Sequence, residues 1–175
     1  MKTWLIRIAA TLILATLFHF LTVMVFPTGV MARLSLRSRD MGLRPNTIYH
    51  APRIAAGMTT VVRPSPDLLY SVCRYDVSEA PLRITAEVPH TYWSLSCFAS
   101  NTDNFFVIND RQVTSNPVEM VLVGPGRSYR EPANTRVVVA PTARGVVLIR
   151  LLITDEAKIN DLIRVQKRAS CHSVG

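Results

Sequence analysis

The chain has 175 residues and a net charge of +8, with 20 Lys and Arg against 12 Asp and Glu, and a pI near 10.0. Once an apolar N-terminal segment is set aside, that length holds one domain of roughly 100–150 residues. The positive charge does not read as a nucleic-acid surface. It is scattered along the chain, with no stripe of basic residues interleaved with stacking aromatics. Only Arg33, Arg37, Arg39 and Arg44 cluster, directly after the apolar segment, where a collar for lipid headgroups belongs.

No charged side chain occurs between Arg7 and Arg33, a run reading IAATLILATLFHFLTVMVFPTGVMA. A bilayer core needs roughly 20 apolar residues in a helix, so residues 1–28 are expected to form a transmembrane anchor. Lys2 and Arg7 make a basic start, but a cleavable signal has an apolar stretch of about 7–15 residues, shorter than this one. Val30-x-Ala32 is a weak cleavage signal, so retention is the expectation. Orientation is contested within the sequence. The arginines after the span argue for a cytoplasmic domain by the positive-inside rule. The three cysteines and the short basic N-terminal tail argue for an exported one, which is the reading adopted. Trp4 suits an interfacial position, and His19 within the span is read as facing a partner helix or protein interior rather than as a proton relay.

From Pro27 to Gly57 no period is sustained, and residues 29–57 read as a linker, with a short amphipathic piece near Val30 to Leu36. The period then becomes 2. Leu82, Ile84, Ala86 and Val88 alternate with Arg83, Thr85 and Glu87, the pattern of a half-buried strand. Similar runs cover 68–77, 92–99, 105–109, 118–123, 135–140 and 146–153. Between them stand turn residues: Ser78 to Pro81, Asn101 to Asn104, Asn109-Asp110, Gly124-Pro125-Gly126 and Pro141 to Gly145. The pattern predicts a mainly β domain over 58–153, an antiparallel sandwich or jelly roll, with a local meander over 68–99 because sequential strands tend to pair. Residues 154–175 read as a helix and tail. Thr154 or Asp155 caps the helix, and Ile159, Leu162, Ile163 and Gln166 share the face that packs on the domain.

The stretch from Arg63 through Pro64-Ser65-Pro66-Asp67-Leu68-Leu69-Tyr70 to Val77, followed by Ala80-Pro81, resembles the opening signature of the bacterial domain-of-unknown-function family numbered 1254. Pro89 to Ser94, Thr102 to Asp110 and Gly145 to Arg150 extend the likeness over most of 60–153. The resemblance implies a β-sandwich in a bacterial envelope protein, of the small membrane-anchored branch. Together with the export reading drawn from the cysteines and the basic tail, the anchor is expected in the inner membrane and the domain in the periplasm. The resemblance brings no established reaction, and the family's long forms carry an additional domain.

No catalytic set stands out. A hydrolase needs a nucleophile oriented by a base and a base held by a third group. Of His19, His50, His90 and His172, only His90 lies inside the strand-forming region, in a turn, and there is no Gly-x-Ser-x-Gly elbow. Cys73, Cys97 and Cys171 lack metal-ligand spacing, and no metal or cofactor is expected. Gly124-Pro125-Gly126 lies between strands and reads as a turn rather than a phosphate loop. The polar residues Asn101, Thr102, Asp103, Asn104, Asn109 and Asp110 suit a cation or a sugar, although two successive turns explain them as well. Asp67, Tyr70 and Asp76 carry the family-like signature and are read as structural first, binding second.

Three functions compete: a non-catalytic module binding a partner protein or lipid, a carbohydrate or small-molecule binding sandwich with Tyr92 and Trp93 at its mouth, and a hydrolase using His90 with Asp103 or Asp110. A buried Trp93 would weaken the second. For the cysteines, a meander puts the strands of Cys73 and Cys97 two apart, near 10 Å at about 4.8 Å per strand. A disulfide needs Cα atoms within about 7 Å. Cys171 on its tail is therefore expected to pair with Cys73 or Cys97. Cys73 is preferred because Cys97 shares its strand face with Trp93 and Leu95.

Overall fold

The computed structural model describes residues 2–40, 42–54, 64–129 and 135–174. Its first element is one unbroken helix, α1 (Lys2–Asp40), which continues through Pro27. The expected linker therefore begins about ten residues later than the breakers suggested. Proline removes one intrahelical hydrogen bond and commonly kinks or ends a helix, but here Pro27, Met31, Ser35 and Ser38 recur on one face that is covered by the domain. That covering supports the segment after the proline. Exposed Leu, Ile, Phe and Val occupy the N-terminal two thirds of α1, which is long and apolar enough to cross a membrane. Part of the expected linker, 55–57, and Arg63 of the opening motif lie outside the described residues.

The rest is a two-sheet β structure. The strands are β1 (Ile48–His50), β2 (Leu68–Asp76), β3 (Leu82–Ala86), β4 (Trp93–Ala99), β5 (Asn104–Asn109), β6 (Val118–Val123), β7 (Arg136–Val139), β8 (Arg144–Leu152) and β9 (Ser170–Ser173). One sheet runs β1-β2-β8-β4-β5 and the other β7-β6-β3-β9. All pairs described are antiparallel except β6 with β7, which is parallel. A single apolar cluster joins them: Leu69, Cys73 and Tyr75 of β2, Leu95 and Cys97 of β4 and Ile149 of β8 meet Leu82 and Ile84 of β3 and Met120 and Leu122 of β6.

The local meander over 68–99 is corrected. β2 and β4 both pair with β8, while β3 lies in the other sheet between β6 and β9. Alternation fixes which side chains are buried but not which strand lies alongside, and the bend over 77–81 carries the chain from one sheet to the other. The C-terminal region keeps its cap. Asp155 accepts from Ala157 N over a 3-10 turn (Glu156–Lys158), and α2 (Ile159–Lys167) follows. Gln166 is buried, its amide donating to Tyr70 O at 2.9 Å and Ala51 O at 3.3 Å. The last residues are not a free tail: β9 pairs with β3, Cys171 opposite Ile84.

Candidate functional site

A concavity lies where the C-terminal third of α1 meets the end of β2 and the start of β8. Its volume is about 370 Å³. At its centre is Arg74, on the outward face of β2. Arg74 Nη1 donates to Ser35 O at 3.0 Å and also to Ser38 Oγ. Ser38 Oγ in turn donates to Ser35 O at 2.8 Å. Burial pushes the Arg74 guanidinium below its usual pKa, the neighbouring charge of Arg39 adds to this, and Asp76 opposes it.

Asp76, two residues on and therefore on the same face, lies opposite Arg144 in the β2–β8 register. Its carboxylate accepts from Arg144 Nε at 2.8 Å and from Ser78 N at 3.1 Å. Burial pushes its pKa up, but the bonds from Ser78 and Arg144 outweigh that and hold it below the usual value. Asn46 ties off this corner. With φ of 56°, a conformation asparagine tolerates better than most residues, it donates to Asp76 O at 2.8 Å and accepts from Asp76 N at 2.7 Å. Its amide also reaches Ser173 Oγ at 2.9 Å.

Of the residues singled out from the sequence, Asp76 and Arg39 of the basic collar belong to this site. Asp67 is exposed, and its carbonyl accepts from Ile153 N at 2.8 Å. The Tyr70 hydroxyl accepts from Ser65 N at 3.0 Å. Both make contacts within the fold. The polar cluster is not one cluster. Asn101 and Asp103 close a turn on each other at the β4–β5 connection, with Nδ2 to Oδ2 at 2.6 Å. Asn109 and Asp110 stand at the other end of β5, five residues or roughly 17 Å along the strand from Asn104. No group of His, Cys, Asp and Glu suited to a metal occurs among the described residues. Trp93 is fully buried while Tyr92 is exposed, so the binding mouth loses its central aromatic. His90 is exposed in a bend with no hydrogen bond or ion pair among the described residues, so none joins it to Asp103 or Asp110.

Sequence reasoning missed His50, which the structure places on β1 opposite Ser71. The two share a hydrogen bond of 2.9 Å between Nδ1 and Oγ. This has the form of a base and a nucleophile, but Ser71 is buried. Neither residue lines the junction cavity. Burial, and then the charge of Lys167, lower the His50 pKa. A lowered folded value favours the neutral ring. Its stabilisation is present in full above the unfolded pKa of about 6.5 and is lost as pH falls through the folded value. Thermal melts between pH 7 and 5 should therefore show a larger loss for the wild type than for His50→Gln; parallel losses would exclude the linkage.

Two packed β-sheets, with a long apolar helix at the N-terminus and a short helix near the C-terminus, define a small mainly β domain. Residues 45–173 match the family described as a protein of unknown function, DUF1254, and the chain belongs to it. No relative is found among curated proteins. Among solved structures, the VPA0106 protein from Vibrio parahaemolyticus is similar over 87% of this chain and 37% of its own, with a TM-score of 0.65 and 11% identity. An uncharacterised protein from Burkholderia cenocepacia is similar over 84% of this chain and 40% of its own, with a TM-score of 0.49 and 16% identity. The chain thus spans well under half the length of either, and the Vibrio likeness speaks for the fold alone.

Proposed function

We propose that this chain is a single-pass, membrane-anchored module of the bacterial envelope, with its β domain in the periplasm. In this reading it is not catalytic and works by binding a partner protein or lipid at the bilayer surface. The observation that carries the reading is the continuity of α1. The helix leaves its apolar run at Ala32 and reaches Asp40 without a break, and on the way Ser35 and Ser38 are tied to Arg74 of the domain. A flexible linker would let the domain roam; a docked helix holds one face of it against the membrane. The Cys73–Cys171 disulfide supports export, because such bonds persist in oxidising compartments and are rare in the cytosol.

Alkaline phosphatase fused after Gly175 should be active, and the fusion should resist carbonate extraction at its full length. An inactive phosphatase beside an active cytoplasmic reporter would reverse the orientation. Release of a product beginning near Arg33 would replace the anchor with a cleaved signal.

A further inference from the structure

We propose that the cavity between α1 and the β2–β8 corner is a binding site for a phosphate group, that of an anionic phospholipid headgroup. This rests on the membrane-docked reading above and adds the ligand. The lining is ordered along the helix. Along α1 it passes from Met31 and Ala32 of the apolar run through Leu34 to Arg39 at the far end, and the sheet adds Arg74 and Arg144. The charge-free run from Ile8 to Ala32 has 25 residues, about 37 Å of helix. That exceeds a hydrocarbon core of about 30 Å and is accommodated by tilt. The boundary then falls at Arg33, and Ser35 to Arg39 lie in the headgroup layer. A phospholipid entering from the bilayer complements the cavity, its acyl chains below against apolar residues and its anionic headgroup above against the arginines.

The donors at the far end are unfilled. A guanidinium carries five N–H donors. Arg74 engages only Nη1 and Arg144 only Nε among the described residues, and the Arg39 side chain has no hydrogen bond there. Three arginines share the lining with a single carboxylate, Asp76, which already accepts from Ser78 and Arg144. Burial first, and then repulsion by Arg39, disfavour the charged form of Arg74. An anion between them would reverse that repulsion. Forked guanidinium donors match phosphate oxygens in pairs, a geometry lysine does not offer. The cavity, about 370 Å³, falls within the usual range of small-ligand sites.

The test uses the full chain in neutral detergent, with native mass spectrometry to compare retention of phosphatidylglycerol and phosphatidylcholine. Phosphatidylglycerol should be retained preferentially. Arg74→Gln and Arg144→Gln should each weaken its retention about fivefold, whereas Arg111→Gln, in the turn after β5, should not. Arg74 also fastens α1, so its variant could fail to fold; Arg144, largely exposed in its pair with Asp76, keeps the test decisive. A second arm titrates inorganic phosphate. Displacement of phosphatidylglycerol by millimolar phosphate supports the shared site. Phosphate binding that is lost in Arg144→Gln, without any preference between lipids, overturns the headgroup as its source. Equal retention of both lipids with no phosphate binding, or equal loss in Arg111→Gln and Arg144→Gln, overturns the site. Anchoring is read separately by extraction and fusion, so failure of one reading is distinguishable from failure of the other.

Discussion

Gly145→Ala is expected to destabilise the domain by about 3 kcal/mol or more, at the upper end of overpacking costs. Gly145 sits in β8 between Tyr75 of β2 and Ala99 of β4. A Cβ built there would stand 2.1 Å from Phe98 O, 2.4 Å from Tyr75 Oη and 2.5 Å from Tyr75 Cζ. The closest of these is a backbone carbonyl on a central strand, so no flexible side-chain end can yield. Tyr75 cannot swing away either: it is almost fully buried and lies edge-on to Phe105, with ring centroids 6.4 Å apart. Glycine is therefore required here by close approach rather than by its own backbone angle. Burial pushes the Tyr75 phenol up to about 12, against an opposing pull from Thr142, and its hydroxyl has no hydrogen-bond partner of good geometry among the described residues. Tyr75→Phe alone should be neutral or stabilising by up to about 1 kcal/mol, since it removes an unsatisfied buried group. Combining it with Gly145→Ala should not rescue stability, because Phe98 O and the ring remain in place. Urea denaturation followed by circular dichroism would check this, and a Gly145→Ala cost below about 1 kcal/mol would refute it.

The strands themselves were readable because a half-buried strand writes its period into the sequence. Leu82, Ile84 and Ala86 are buried and Arg83 and Thr85 are not, as alternation requires. Strand partners were not readable. The five residues after Asp76 could have turned back into a hairpin, and instead they cross to the opposite sheet. Pro27 and Gly29 were read as an end to the helix because local propensity is all a sequence displays. What carries the helix onward is the covering of its later turns by the domain, which no local window contains. The junction site was hidden for the same reason. Arg39, Arg74 and Arg144 are dozens of residues apart and form no motif. Only the antiparallel register that sets Asp76 against Arg144, together with the docking of α1, brings them to one cavity. Arg74 and Asp76 lie in the family-like signature and Arg39 in the basic collar, but nothing in the sequence brings the two stretches together or adds Arg144 to them.

Removal of the Cys73–Cys171 bond by a double substitution to alanine is expected to cost about 3–5 kcal/mol. The structure joins these two cysteines, with Cα atoms 6.5 Å apart, and leaves Cys97 a free buried thiol. The separation argument behind the pairing holds with a different strand in the middle. Cys73 and Cys97 both lie opposite Val147 of β8, one on each side, so they remain two strands apart. The bond closes a loop spanning 98 positions of sequence, and the chain-entropy model assigns about 4.7 kcal/mol to a loop of roughly 100 residues. The lost sulfur packing adds to that cost, while residual structure in the unfolded chain subtracts from it. The bond also has a particular mechanical place. It pins β9, a four-residue edge strand, to β2, an interior strand of the opposite sheet. Without it, α2 and β9 retain the β3 ladder and the Gln166 hydrogen bonds, and amide exchange should rise there before it rises in β2, β4 or β8. Cys97, whose thiol burial pushes up to about 12, should behave as a small apolar side chain, and Cys97→Ala should cost about 1 kcal/mol. Thiol titration of the denatured, unreduced chain should find one reactive cysteine, and non-reducing peptide mapping should recover the Cys73–Cys171 pair. Three free thiols, a Cys73–Cys97 peptide, or a double variant as stable as the wild type would each overturn the assignment.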